Sequence, residues 1–405
     1  DYGAMGIPSR VSGSGVLGNN WYQVAGGESA FLALDPNNPE SVYGTNYQGN
    51  ISAWHRPSET SKDIMAYPEI ALATHPRDLK YRFNWNAPLV VSPQNPKILY
   101  HGAQKILKTE NGGINWVPIS PDLTRNDPEH QGDGGGPFLN EGAGAENYNT
   151  ISYIAPSPHQ EGVLWVGTDD GRVHLTRNGG ETWEDRTPKG LPESLINSIE
   201  VSPHEPATVY VVACRFRFGD KHPYVYRSRD YGRSWEKIIS GFGLNDFVRV
   251  VREDPGQKDI LYAGTESSFF MSINGGEYWH PFQLNMPVCP ITDLKIHQND
   301  LIASTAGRGI WILDDIACFH HTKAIVGKTG ITLSPPHEAY RYASEQNEDP
   351  TLASSPSNGA EGMIISFILP EELDSLSLEI HNASGQVVRR YTSWVDTMHL
   401  NTNAA

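Results

Sequence analysis

One eight-residue phrase occurs four times in this chain, at Thr109–Trp116, Thr176–Trp183, Ser228–Trp235 and Ser272–Trp279. Each copy places a hydroxyl residue first, Asn or Asp third, glycine fifth and tryptophan eighth. Asn and Asp side chains bond to backbone two residues on, glycine accepts positive φ, and Ser or Thr ties the start, so the phrase predicts a hairpin turn. The closing tryptophan then opens the outgoing strand and buries a large ring between layers.

A second module recurs upstream of each phrase. It begins at Asp35, Ser92, Ser157, Ser202 and Asp254, each followed by proline, and continues into Val42-Tyr43, Leu99-Tyr100, Leu164-Trp165, Val209-Tyr210 and Leu261-Tyr262. A degraded sixth copy runs from His297 to Ser304. Two modules kept in one order over repeats of roughly 45 to 65 residues describe four antiparallel strands per repeat, the pattern of a propeller blade. The fold class expected is therefore all-β, a β-propeller of four-stranded antiparallel blades followed by a partial β-sandwich segment. Residues 1–27 read as the end of an incomplete first blade, which with six later repeats predicts seven blades. Six is the alternative, if Trp21–Val24 completes the blade of Ile291–Leu313. Residues 28–318 hold the remaining blades, 319–360 a linker rich in Ser, Pro, Asn and Glu, and 361–405 two or three strands of an incomplete immunoglobulin-like module.

Composition narrows the function. Thirty-nine glycines and 29 prolines suit many short strands and turns. No apolar run reaches membrane-spanning length. A formal charge of −16 disfavours nucleic acid, whose phosphates would be repelled. Cys214, Cys289 and Cys318 are widely spaced without a metal pattern, which predicts buried thiols and no bound metal. No cofactor is expected.

The phrases resemble the Asp-box, or bacterial neuraminidase, repeats of sialidases, xyloglucanases and sortilin-type receptors. Tyr81–Asn86, Val163–Gly171, Ala263–Glu266 and Gly307–Asp315 are further similar to large secreted bacterial proteins described as glycosyl-hydrolase-like or sortilin-N-terminal-like. The resemblance covers about residues 1 to 390. It implies a long exported protein with one or two propellers before a β-sandwich tail, located outside the cytoplasm as a secreted, periplasmic or surface protein. This chain would then be an internal portion, touching other domains of the longer polypeptide.

Blade geometry locates the functional face. Turns between strands one and two and between strands three and four share one end, so the phrases belong to scaffold. A pocket is expected at the other end, on the loops between strands two and three and the lead-ins to each first strand. Read in order, that rim offers Glu28, Asn46, Gln48, Arg82, Asn84, Trp85, Asn149, Asp169, Arg172, Arg215, Arg217, Asp220, His222, Asp293 and Arg308. Carboxylates, arginines, amides and aromatics of this kind suit a sugar or a polar peptide. The long Pro121–Tyr148 insertion, with Asp133-Gly-Gly-Gly136, reads as a lid or surface loop; its acidic residues also offer oxygens to calcium.

Glycoside hydrolysis needs two carboxylates flanking the scissile bond, one protonated and one ionised. Asp170 and Glu266 are the candidates chosen from the rim. Asn46 stands about where the xyloglucanase pattern has an aspartate, and an amide can neither attack nor act as a base. The principal expectation is a propeller binding a glycan or protein partner on its top face. A glycoside hydrolase is the alternative, and a sortilin-like peptide receptor the second.

Overall fold

The structure is a computed structural model of the chain, and it describes residues 3–11, 16–29, 31–35, 38–69, 71, 74–132, 146–321, 330–335, 363–369 and 375–393. Among these the fold is all-β, and every helical turn is a short 3-10 segment. The chain divides into two compact units, one of residues 1–320 with 343–360, the other of residues 321–342 with 361–405.

The first unit is a propeller of six blades. Blade 1 is Leu32–Asp35, Asn38–Asn46, Asn50–His55 and Thr60–Asp63. Blade 2 is Leu89–Val91, Leu99–Gly102, Ile106–Thr109 and Val117–Pro118. Blade 3 is Ile151–Pro156, Leu164–Thr168, Val173–Thr176 and Glu184–Asp185. Blade 4 is Leu195–Val201, Val209–Cys214, Tyr224–Ser228 and Glu236–Lys237. Blade 5 is Val248–Glu253, Leu261–Thr265, Phe269–Ser272 and His280–Pro281. Blade 6 has three strands, Ile291–His297, Asp300–Thr305 and Ile310–Leu313.

Among the described residues, the seventh blade expected from residues 1–27 does not form. Met5–Gly6 and Tyr22–Gln23 make a separate two-stranded ribbon, too short to be a blade. Nor does Tyr22–Gln23 complete blade 6, because it pairs with Met5–Gly6 instead. Val24 and Ala25 pack with Val42 of blade 1, and Arg10 pairs with Asp300 and Asp314 of the last sheet, so this segment joins the two ends of the blade series.

The repeated phrases build the turns their residue types predict. In blade 3, Thr176 Oγ1 donates to Asn178 Oδ1 (3.0 Å), the Gly180 amide donates to Thr176 Oγ1 (3.0 Å), and the Thr182 amide donates to Asn178 Oδ1 (3.0 Å). Blades 2, 4 and 5 repeat this network through Asn111, Asp230 and Asn274. Each closing indole then reaches back one blade. Trp116 donates to the Ile64 carbonyl (2.9 Å), Trp183 to Ile119 (2.9 Å), Trp235 to Arg186 (2.8 Å) and Trp279 to Ile238 (3.0 Å). A turn motif that closes one blade thus staples it to the blade before.

The proline turns tie blades at the same end. Gln94 donates to the Ser157 carbonyl, and the Nε2 atoms of His159 and His204 contact the carbonyls of Ser202 and Asp254. Between blades the core is apolar, as in the cluster of Trp165, Leu175, Ile196, Ile199 and Val211 shared by blades 3 and 4.

In the second unit, Thr332–Leu333 pairs with Phe367–Ile368 and Ser377–His381 with Val387–Thr392. The stretch read as linker therefore contributes one short strand. Cys214 and Cys289 are buried thiols, whereas Cys318 is only half-buried; none forms a disulfide.

Candidate functional site

The end of the propeller opposite the phrases carries the turns between strands two and three. In blade 3 that turn is Asp169-Asp170-Gly171, with Gly171 at φ +89°. Both carboxylates point into protein. Asp169 Oδ1 accepts the Thr150 amide (2.9 Å), and Oδ2 accepts Thr150 Oγ1 (2.6 Å) and Asn84 Nδ2 (3.2 Å). Asp170 Oδ1 accepts Thr168 Oγ1 (2.5 Å), and Oδ2 accepts the Arg125 amide (2.8 Å) and Asn149 Nδ2 (2.7 Å). Burial raises the pKa of Asp169 well above the carboxylate range. The adjoining Asp170 raises it further, against the Thr150 bonds and the Arg217 charge. Burial raises Asp170 too, opposed by its three donors and Arg125.

Arg82 is buried, donating to Asp122 (2.7 Å), Asn126 Oδ1 (3.2 Å) and the Asn149 carbonyl (3.4 Å), while its own amide donates to Gln104 Oε1 (2.9 Å). Asn149, at φ +57°, takes the Asp127 amide and Gln131 Nε2 on its Oδ1. Together with the Arg125–Asp170 bonds, these contacts hold the first part of the Pro121–Tyr148 insertion, Asp122 to Gln131, against the lead-ins to blades 2 and 3. Its middle, residues 133–145 with Asp133-Gly-Gly-Gly136 and Glu141, lies outside the described residues. Among the described residues no group of three His, Cys, Asp or Glu is placed to hold a metal.

Next to this cluster, Trp85 stacks on Tyr47 (ring centroids 6.0 Å, planes 14° apart), an aromatic pair reaching the surface beside Asn84. On the other side, Tyr148 donates its hydroxyl to Glu193 of the lead-in to blade 4, and the Glu193 carbonyl accepts Arg215 Nε (2.9 Å). Arg215 Nη1 in turn donates to Asp220 Oδ2 (2.7 Å), which also accepts the Tyr224 hydroxyl (2.8 Å); His222 holds Oδ1 through its amide and Nδ1. Partial burial works against ionisation of Asp220, but the His222 and Tyr224 bonds and the Arg215 charge outweigh it and hold the carboxyl down to about 2. Arg217 is exposed and faces the Asp169 field.

The structure thus brings Asn84, Trp85, Asn149, Asp169, Arg215, Arg217, Asp220 and His222 onto one arc over blades 2 to 4. Arg82 and Asp170 belong to the same cluster through their bonds to Asn149, and the other residues read from the sequence stand elsewhere. Asp170 and Glu266 occupy turns two blades apart, and Glu266 is gripped by Arg249 through Nε (2.7 Å) and Nη2 (2.6 Å). Arg172 pairs with Asp185 of its own blade (3.2 Å). Asn46 caps its own turn by accepting the Tyr47 amide, and Gln48 holds φ +61° in the same turn. Glu28 is half-buried at the start of blade 1. Arg308 is exposed, its carbonyl accepting the Trp311 indole. Asp293 lies on the first strand of blade 6 and pairs with Arg252 (2.7 Å). Sequence reading passed over Arg125, Thr150 and Glu193. Only Glu193 carried a signal, as the one carboxylate in the Leu191–Ser194 lead-in to blade 4.

No family model matches the chain. Two curated fungal proteins do. A probable oligoxyloglucan-reducing end-specific xyloglucanase of Neosartorya fischeri is 25% identical over 318 residues, covering 71% of this chain and 37% of the relative. An oligoxyloglucan-reducing end-specific xyloglucanase of Emericella nidulans is 28% identical over 156 residues, covering 37% of this chain and 17% of that protein. Among solved structures, the GH74 xyloglucanase of Xanthomonas campestris superposes with a TM-score of 0.50 at 16% identity, covering 70% of this chain and 44% of that one. That likeness bears on fold alone, and the chain spans less than half the length of each of these proteins. Blades, repeats and relatives together describe a glycosyl-hydrolase-like propeller.

Proposed function

We propose that this face binds a glycan and hydrolyses a glycosidic bond, with xyloglucan-type β-glucans as the substrate class and the extracytoplasmic space as the place of action. The observation that carries the reading is the pair of carboxyls on neighbouring blades whose surroundings drive their protonation apart. Burial favours the neutral form within the Asp169–Asp170 pair, while Arg215, His222 and Tyr224 favour the ionised form of Asp220, the division of labour that glycoside hydrolysis requires. The Tyr47–Trp85 pair supplies a flat apolar surface for a sugar ring, and Asn84 links that platform to Asp169. The xyloglucanases similar to this chain favour hydrolysis over binding alone. Both carboxyls of the Asp169-Asp170 turn are held by scaffold donors, and the acid role is assigned to Asp169 because its Oδ2 accepts Asn84, the residue beside the aromatic pair.

The test is release of reducing ends from xyloglucan and a panel of other soluble polysaccharides. Asp169→Asn and Asp220→Asn are each expected to lower the rate at least about a hundredfold, the scale of a lost acid or base. Glu266→Gln should leave it within about threefold. Saturable glycan binding without reducing-end release by the unaltered protein would leave a binding propeller and remove the hydrolase.

A further inference from the structure

Blade 6 ends at its third strand, and no described strand pairs with the outer edge of Ile310–Leu313. Beside that edge lies a cleft, partly open to solvent, lined by Phe269, Phe282, Met286, Leu301, Ala303 and Trp311. The same positions one blade earlier surround a buried tryptophan. Trp279 sits in a cluster with Val225, Ile238, Leu261, Ala263, Phe270 and Phe242.

The correspondence follows from hydrogen bonding. Ile238 follows the outer strand of blade 4 and donates its amide to the Val225 carbonyl (2.9 Å); Phe282 follows that of blade 5 and donates to Phe269 (2.8 Å). Phe242 and Met286 each come four residues later. Leu261 and Leu301 hold equivalent rungs, Ala263 pairs with Phe270, and Ala303 pairs with Trp311. The carbonyl that accepts the Trp279 indole belongs to Ile238. Its counterpart is the Phe282 carbonyl, which no hydrogen bond among the described residues reaches. Four indoles fill this position in blades 2 to 5; among the described residues of blade 6 no indole does, and the Phe319 ring packs edge-on against Phe282 at the side of this socket (centroids 5.4 Å). Ile310, Ile312 and Leu284 stay exposed around it.

We infer that blade 6 is a docking site for a partner β-strand that opens on tryptophan. The strand adds antiparallel to Ile310–Leu313, its ring enters the socket and its indole donates to the Phe282 carbonyl. Main-chain bonds to an open sheet edge supply affinity, and the socket selects the aromatic.

The experiment uses a fluorescently labelled peptide copying residues 272–283, titrated with the full 405-residue chain and followed by anisotropy. Saturable binding is expected, weakened roughly tenfold or more when alanine replaces the peptide's tryptophan. In the protein, Ala303→Phe fills the socket and abolishes binding with the circular dichroism unchanged. Met286→Phe copies the Phe242 wall, which stacks on Trp279 at 5.0 Å, and tightens it. Absence of saturable binding, or equal affinity for the alanine peptide, overturns the inference, and the peptide pair alone decides if Ala303→Phe fails to fold. A dimer of the chain that Ala303→Phe dissolves would seat a second copy at the edge and overturn the partner strand.

Discussion

Tyr231 sits at φ +59°, where the other three phrases have Gly112, Gly179 and Gly275. The position asks for a left-handed backbone but leaves room for a side chain: a Cβ on Gly179 would meet nothing within 4 Å. The next glycine is different. A Cβ on Gly180, at φ +99°, would lie 2.4 Å from the Ile119 carbonyl oxygen, the atom that accepts the Trp183 indole. Gly179→Ala is therefore expected to cost about 1 kcal/mol, the left-handed penalty alone. Gly180→Ala should cost roughly 3 kcal/mol, because the clash displaces the staple to the preceding blade. Urea midpoints of the two variants check this, and equal losses would show that the close approach does not matter. His101 gives a pH-dependent case. It is fully buried against Phe83, and that burial lowers its pKa from 6.5 to about 4, despite contact with the Pro88 carbonyl. The unfolded chain binds the proton first, so this stability is whole above pH 6.5 and is lost as pH falls toward 4. The loss is roughly 3 kcal/mol. Replacement by phenylalanine should flatten the decline of stability between pH 7 and pH 4.5, measured by urea unfolding at each pH.

At the scale of strands, the indoles show how far local sequence reaches. Trp279 is wholly buried and Trp183 half-buried, yet both make the same bond to the preceding blade. Trp183→Phe should cost about 1 kcal/mol, since water can reach the Ile119 carbonyl. Trp279→Phe should cost about 2 to 3 kcal/mol more than the ring volume explains, because the Ile238 carbonyl is left dry. Melting temperatures in parallel test the ordering, and a larger loss at Trp183 would refute it. These turns were legible because every chemical requirement sits within eight residues. The bulges were not. The first strands of blades 3 to 6 each slip register once, at Ile151/Tyr153, Ile196/Ser198, Val248/Val250 and Ile291/Asp293. An added residue breaks the alternation by which a strand is read, and its purpose lies in the next blade: Ser152 Oγ donates to the Ile196 carbonyl and Asn197 Nδ2 to that of Arg249. The blade count failed for a related reason. Residues around Met5 and Trp21–Val24 read as the last two strands of a blade, and Met5–Gly6 does pair with Tyr22–Gln23, but only the tertiary structure shows that the two stand as a ribbon and not as part of a blade.

For the whole molecule, the rim could be listed from the repeat, whereas the groups crossing the interior could not. Arg252 is the clearest. From blade 5 it donates to Tyr153 Oη of blade 3 (2.9 Å) and Ser198 Oγ of blade 4 (2.9 Å). It also reaches the Leu294 carbonyl (3.0 Å) and Asp293 (2.7 Å) of blade 6, with Glu200 of blade 4 at 3.5 Å. One guanidinium, with five donors in a rigid fork, links four blades of a chain whose formal charge is −16. Burial raises Glu200 to about 7, and the Arg252 charge keeps it from rising further. Arg252→Met preserves the length of the stem but leaves Glu200 without its main cation, at a cost of about 3 to 5 kcal/mol. A raised carboxyl contributes stability that is present below its unfolded pKa and lost as pH climbs through the folded value. The variant should therefore weaken more steeply than the unaltered protein between pH 5 and pH 8. Adding Glu200→Gln removes the stranded charge, so the double variant should recover part of the loss at pH 8 and little at pH 5. Urea unfolding of the full cycle at both pH values measures this coupling; no recovery at pH 8 would mean that Arg252 holds the blades through its neutral acceptors alone.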